Sequence, residues 1–416
     1  MSRIPLARRT PASYEISMVK LSEMSEDVIN EAKILLREPW LTESVLNCFP
    51  QIGITGENEL AMTLYLVGTS RLLKRPLAAI VQGPSSSGKS FAIERVASLF
   101  PEETIYDAGQ LTPNALVYEQ ESLRHRFVVA GERSHKTGSE GADSTRMLRE
   151  LLSSGRVTKR ATVTGPDGSR TTEEFHCEGP IAYVESTTLA EIFDEDANRC
   201  LLLQTNETSQ QTRNILSNIA DTYASQECGR DAEDMILLHH AIQRLIRPQK
   251  VTIPFARSLA QLLPADRMEI RRIGASLFRM IETVTLLNQY QRETVNGALV
   301  STDEDYEMAL RLMNGPTSIF IGTRLSPAAE RFLERLRQRY GMEHFSTRDC
   351  KQSEEFSERA VQGWLSELHE GGHIKIVEAS RSRMPAIWQV TQSGDRSSWS
   401  LPDIDEIRSV QERNAA

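Results

Sequence analysis

The sequence predicts an α/β protein built on a parallel sheet, with a helical segment behind it and a small helix-and-strand module near the C-terminus. Three observations predict this. The apolar run Leu77–Gln82 is followed by GPSSSGKS and then by FAIERVASLF at helical spacing, which is strand, loop and helix in that order. Further strand-length runs stand at Arg126–Ala130, Pro180–Glu185 and Cys200–Leu203, and residues 211–313 are mostly helical in pattern. Beyond Leu325, three helical patterns lead into two strands. The expected organisation is a lead-in over 1–24, an α/β core over 25–210, a helical lid over 211–315, a winged helix over 325–392 and a tail over 393–416.

Along the chain, Val28, Ile29, Ala32, Ile34, Leu35 and Leu36 predict a helix that stops near Pro39. A second helix is expected over Glu57–Leu73. Between them FPQIGITGENE reads as a Gly-containing turn segment, either an ordinary interhelix loop or a segment that approaches a nucleotide base.

The pattern G-x-x-x-x-G-K-[ST] spans Gly83, Pro84, Ser85, Ser86, Ser87, Gly88, Lys89 and Ser90. Glycines at both ends let the backbone wrap a phosphate chain, and the N–H groups of the loop and helix start point at the anion. Lys89 supplies a charge for the β- and γ-phosphates, and the Ser90 hydroxyl a ligand for Mg²⁺. ATP and Mg²⁺ are the expected cofactors.

Thr104–Asp107 is a weak strand candidate. After the strand Arg126–Ala130 comes Glu132, the only carboxylate at that strand end and hence the candidate for polarising water and holding metal. Gly131 stands where an aspartate would usually precede it. Asp143–Ser154 has helical spacing, and residues 156–178 form the clearest hairpin, two Thr- and Val-rich runs around Gly-Pro-Asp-Gly. Lys159, Arg160 and Arg170 make it a candidate DNA-contacting finger, against the commoner fate of a solvated surface hairpin. Ser186, Thr187 and Thr188 end the strand Pro180–Glu185, where hydroxyls can sense a γ-phosphate. Arg199 precedes the next strand, as a neighbour-reaching arginine or as an ion-pair partner of Asp194, Glu195 or Asp196.

His239 and His240 have no ligand spacing and read as packing residues. In the C-terminal module Ser357–Glu370 is the recognition-helix candidate, with Arg359 and Gln362 able to face a groove. Lys375, Arg381 and Arg383 make the wing basic. The module serves DNA binding or protein interaction.

Composition is that of an ordinary globular protein, and the net charge of −9 argues against a uniformly basic nucleic-acid coat. No apolar run approaches membrane-spanning length, and the basic N-terminus lacks a signal-peptide core, so a cytoplasmic location with no membrane partner is expected. The five cysteines are scattered, with no C-x-x-C pair, and read as buried or incidental thiols.

With these pieces in order, residues 25–390 resemble the MCM-like branch of AAA+ ATPases, especially helicase modules of mobile genetic elements and primase-helicase fusions. PQIGITGENE is similar to the family's adenine-side box, GPSSSGKS to its nucleotide loop, and RMLRELLSSGRVTKRATV to the helix and strand of its pre-sensor hairpin. VESTT lies at the first sensor, with Ser186 or Thr187 replacing the usual Asn. EDANRC lies at the arginine finger, pointing to Arg199, and RRIGASLFRMIE resembles the second-sensor helix, pointing to Arg272. The resemblance implies a homo-hexameric ring, ATP hydrolysis between subunits, single-stranded or forked DNA as substrate, and a primase or other replication partner. Gly131 departs from the family's Asp-Glu pair, and the family's N-terminal DNA-binding or primase domains are not expected here. A nucleotide-switched DNA-binding regulator or loader that does not unwind is the alternative, and an ATPase with a protein target a third reading.

Overall fold

A computed structural model describes residues 13–109, 122–133, 139–164, 170–189, 192, 199–224, 232–265, 270–320, 327–353, 358–370, 373–378, 385–391 and 400–415. It is a mixed α/β structure around a five-stranded, all-parallel sheet. The chain divides into two compact units, Met1–Met313 with Pro402–Ala416, and Asn314–Leu401.

Four helices come first: α1 (Ser13–Leu21), α2 (Glu26–Leu35), α3 (Leu41–Gln51) and α4 (Asn58–Thr69). Every residue of α4 from Leu60 to Thr69 is buried, which suits its near-continuous apolar sequence. The sheet follows: β1 (Ala78–Gln82), β2 (Ile105–Ala108), β3 (Arg126–Glu132), β6 (Ile181–Thr187) and β7 (Leu201–Gln204). Between β1 and β2 runs α5 (Lys89–Ala97). Between β3 and β6 lie α6 (Ser139–Ser154) and the antiparallel hairpin β4 (Arg156–Thr164) and β5 (Arg170–Glu178).

The strand order is β2-β3-β6-β1-β7. β1 and β6 are buried along their whole length, as strands covered on both faces must be, and this is why they read as apolar runs. In register, Gln82 pairs with Thr187 and Gln204, and Glu132 pairs with Ser186. Because all strands run the same way, their carboxyl ends share one edge of the sheet, the edge where ligands of open parallel sheets bind.

The helical part carries α7 (Ser209–Ala224), α8 (Ala232–Leu245), α9 (Ala256–Leu262), α10 (Ile270–Leu287) and α11 (Asp303–Phe320). A small sheet of β8 (Lys250–Thr252), β9 (Thr294–Val295) and β10 (Ala298–Val300) interrupts it. The β9–β10 turn is Asn296-Gly297, both at positive φ. Buried Asp305 accepts from Arg292 at 2.6 and 2.8 Å and from Thr285 at 3.0 Å, which fastens α11 to α10.

Within the expected lead-in, α1 is docked by Glu103, which accepts from Ser17 at 2.8 Å and from Arg244 of α8 at 2.9 and 3.1 Å. At the other end, α15 (Ile404–Ala415) packs on α9 and belongs to the first unit. Tyr306 donates to the Pro402 carbonyl, and Arg408 to Asp303.

The second unit holds α12 (Pro327–Tyr340), β11 (His344–Ser346), α13 (Thr347–Ser353), α14 (Glu358–Glu370), β12 (Ile374–Glu378) and β13 (Ile387–Val390). Its antiparallel sheet has the order β11-β13-β12. Phe332, Phe345, Val361, Leu368 and Val390 form its core, and Trp388 donates to the Thr347 hydroxyl at 2.9 Å. Cys48, Cys177, Cys200 and Cys350 are buried free thiols, and Cys228 lies outside the described residues. Among the described residues no helix is long and apolar enough to cross a membrane.

Candidate functional site

The loop Gly83–Ser90 leaves the central strand β1 and enters α5 at the carboxyl edge of the sheet. Two residues take the left-handed conformation, Ser86 at φ 67° and Gly88 at φ 87°, so the loop curls tightly before the helix starts. The buried Lys89 donates from Nζ to the carbonyls of Gly83 at 2.8 Å and Pro84 at 2.6 Å. Ser90, the second residue of α5, is exposed. The geometry gives a helix N-terminus, a lysine and a hydroxyl at one spot, a combination suited to an anion.

Gly83 has no room for a side chain. A Cβ there would lie 2.5 Å from the Thr205 hydroxyl and 2.7 Å from that of Ser87. Both hydroxyls are buried and lack a hydrogen-bond partner among the described residues. Thr205, directly after β7, was missed by sequence reasoning; its signal was a hydroxyl residue closing the apolar run Leu201–Leu203.

Glu132 ends β3 at the same edge, and the Thr188 hydroxyl donates to its Oε1 at 2.9 Å. Thr187 is fully buried, and its hydroxyl accepts from the Leu189 N–H at 3.1 Å. Ser186 is also buried, and its carbonyl accepts from the Arg133 N–H at 2.9 Å. The two strand ends are further joined by Arg133, which donates to Glu185 Oε1 from Nε at 3.0 Å and from a terminal nitrogen at 2.5 Å. Tyr183 donates to the other oxygen of Glu185 at 3.1 Å. Glu185 thus satisfies a partly buried arginine and a buried phenol, and this network fixes the peptide immediately after Glu132. Sequence reasoning missed Arg133 and Glu185 because the pair is closed only by strand pairing.

Gly131 has a steric reason. A Cβ at this position would lie 1.9 Å from the Gly109 carbonyl oxygen, so an aspartate cannot stand there without moving β2 or β3. The oxygen donors Ser90 and Glu132 are hard ligands of the kind Mg²⁺ takes, with one carboxylate fewer than an Asp-Glu pair offers.

The turn after α3 is brought against α5. Gly53, at φ 90°, has Phe91 Cζ 3.6 Å from where its Cβ would be, and Arg95 stacks over the Phe91 ring. Gln211 donates to the Thr55 carbonyl at 2.6 Å, and a Cβ on Gly56 would lie 2.0 Å from its Oε1. Glu57 accepts from the Asn206 N–H at 2.7 Å, and burial raises its pKa. The residues 53–57 and 205–211 therefore form one wall beside the loop.

The remaining predicted residues stand elsewhere. Arg199 is exposed and donates from Nε to the Ser153 hydroxyl at the end of α6, at 2.9 Å; Asp194, Glu195 and Asp196 lie outside the described residues. Arg272 is exposed near the start of α10. On the hairpin, Lys159 is half-buried, while Arg160 pairs with Glu174, its partner in register, at 3.1 Å. Arg170 is exposed at the start of β5. In the second unit Arg359 lies on α14, Gln362 is exposed on the same helix and Lys375 is exposed on β12; Arg381 and Arg383 lie outside the described residues. His239 is buried with Nδ1 3.1 Å from the Tyr65 hydroxyl, and His240 Nε2 meets the Ser98 carbonyl at 2.9 Å.

No protein-family model matches the sequence, and no curated protein matches it.

Proposed function

We propose that the chain is an ATP-hydrolysing, ring-forming DNA translocase of the AAA+ class, a replicative-type helicase of a mobile element, with a winged helix as its second unit. The observation that carries the reading is the shared sheet edge: the curled Gly83–Ser90 loop with Lys89, and Glu132 held by Thr188. The order helix, short strand, two helices, two strands in the second unit supports the winged helix. Support for assembly comes from α7, which exposes Ile215, Leu216, Ile219 and Tyr223.

In this reading the loop N–H groups and Lys89 bind the β- and γ-phosphates of ATP, and Glu132 orients the attacking water. Ser90 and Glu132 would hold Mg²⁺, and the ion would supply neutralisation of phosphate charge. The Ser186–Thr188 strand end reports the γ-phosphate. Arg199 of one subunit completes the site of the next, leaving Ser153 to do so, and Arg272 serves as the second sensor. Lys159, Arg160 and Arg170 grip the DNA backbone, and Arg359, Lys375, Arg381 and Arg383 give the second unit its own hold.

The test is strand displacement on a forked duplex with ATP and Mg²⁺, comparing the unaltered chain with Lys89→Ala. Unwinding that vanishes in the variant supports the helicase. Two observations favour the second reading, a loader or regulator without unwinding: Gly131 removes one metal ligand, and Glu174 neutralises Arg160 on the hairpin. Nucleotide-dependent DNA binding with no unwinding by either protein would select it.

A further inference from the structure

A triphosphate held by the Gly83–Ser90 loop has two ends, and the sheet order β2-β3-β6-β1-β7 distinguishes them. Glu132 ends β3 and Thr188 follows β6, both on one flank of β1, so a γ-phosphate facing Glu132 points to that flank. The nucleoside end then points to the other flank, where β7 ends. There Gln211 donates to the Thr55 carbonyl at 2.6 Å and Glu57 accepts from the Asn206 N–H at 2.7 Å, which holds residues 53–57 beside the loop. Phe91 belongs to this flank. It follows Ser90 in the first turn of α5, and its Cζ lies 3.6 Å from where a Cβ on Gly53 would be. Phe91 is 45% exposed, while Ala92 and Ile93 beside it are buried, and no other large apolar side chain of α5 is exposed. Helix spacing explains the contact with Arg95, whose guanidinium lies 5.1 Å from the ring centroid. A ring still open to water at the end of a phosphate-binding loop is a platform for a planar base, because every base has a π-face.

We propose that Phe91 seats the base of the bound nucleoside triphosphate by stacking. The inference rests on the nucleotide reading and adds to it the residue that holds the end of the ligand far from the reacting phosphate. Arg95 steadies the ring from one turn along the helix, and Gly53, at φ 90° and without a side chain, leaves room for its tip. Stacking touches no phosphate. Phe91 therefore adds to the affinity for the whole nucleotide and adds nothing to the affinity for its phosphate chain, which the loop and Lys89 hold by themselves.

The experiment is calorimetric titration of the full chain, with Mg²⁺ present, first with ATP and then with inorganic triphosphate. Phe91→Ala should weaken ATP binding by about tenfold or more, the size of one lost base–aromatic stack, and leave the affinity for inorganic triphosphate unchanged. Phe91→Trp, which keeps a flat ring, should restore ATP binding. Thermal unfolding of both variants should match that of the unaltered chain, because the side chain is half-exposed. Equal losses for ATP and inorganic triphosphate in Phe91→Ala would assign the ring to the shape of the loop and overturn the proposal. Undiminished ATP binding by Phe91→Ala overturns it too, with the nucleotide reading left standing. Binding of neither ligand by the folded, unaltered chain removes the nucleotide reading itself, and the stacking role with it.

Discussion

Thr188 donates its hydroxyl to Glu132 across 2.9 Å, joining the end of β6 to the end of β3. One carboxylate oxygen is thereby held in place and the other is left for work. If Glu132 orients water, Thr188 is the residue that orients Glu132. Thr188→Val should lower the rate of ATP turnover about tenfold, a part of what a well-placed base contributes, with little change in KM. Thr188→Ser should restore most of it. Steady-state kinetics of the three proteins decide the matter, and a loss confined to KM would assign Thr188 to binding instead.

Gly131 and Gly109 approach so closely that even one methyl at 131 overlaps a carbonyl oxygen. Gly131→Ala should lower stability by about 1–3 kcal/mol, the usual toll of overpacking, and Gly131→Asp should not gain metal affinity. Thermal melts and Mg²⁺ titrations check both. An unchanged melting temperature would show that β2 and β3 can part there freely.

Arg199 rests on Ser153 of its own chain. If Arg199 is the finger of a neighbouring site, Arg199→Ala should cut hydrolysis by about 10³-fold while leaving ATP affinity within a few-fold, because a finger acts on the transition state. Ser153→Ala should leave turnover near normal. Parallel losses of binding and turnover in Arg199→Ala would make the arginine structural.

Acid should loosen the molecule through two groups. Burial alone would raise the Glu103 pKa, but hydrogen bonds from Arg244, its own backbone and Ser17 outweigh it and bring it from 4.5 to about 2. A depressed carboxylate stabilises the fold above its unfolded pKa, and that contribution drains away as pH falls from 4.5 through 2. Burial also brings His239 from 6.5 to about 3, so its contribution is complete above 6.5 and shrinks as pH falls toward 3. Glu103→Gln should therefore be less stable than the unaltered chain at pH 7 and converge with it toward pH 2, as read from urea midpoints. Parallel curves would contradict the linkage.

Much of this architecture was legible because burial leaves a periodic trace. β1, β3, β6 and β7 read as apolar runs because both sheet faces are covered, and GPSSSGKS is legible because the residue types that wrap an anion are few. What stayed hidden depends on pairing across the chain. Helix α3 has Leu41, Val45, Cys48 and Phe49 at helical spacing, yet its Pro50 and the glycines after it drew the eye to a turn. The β9–β10 hairpin carried its Asn296-Gly297 signal inside a segment read as helical, and β11 is only three residues long. The Arg133–Glu185 pair and the hydroxyl of Thr205 acquire meaning only when parallel strands bring them to one edge.

The measurement that bears most directly on the central claim is phosphate release from ATP, with and without forked DNA, by the unaltered chain and by Lys89→Ala. The account predicts turnover that rises when DNA is added and disappears in the variant. Turnover that survives loss of Lys89, or none at all from a folded unaltered chain that binds neither ATP nor DNA, would contradict it.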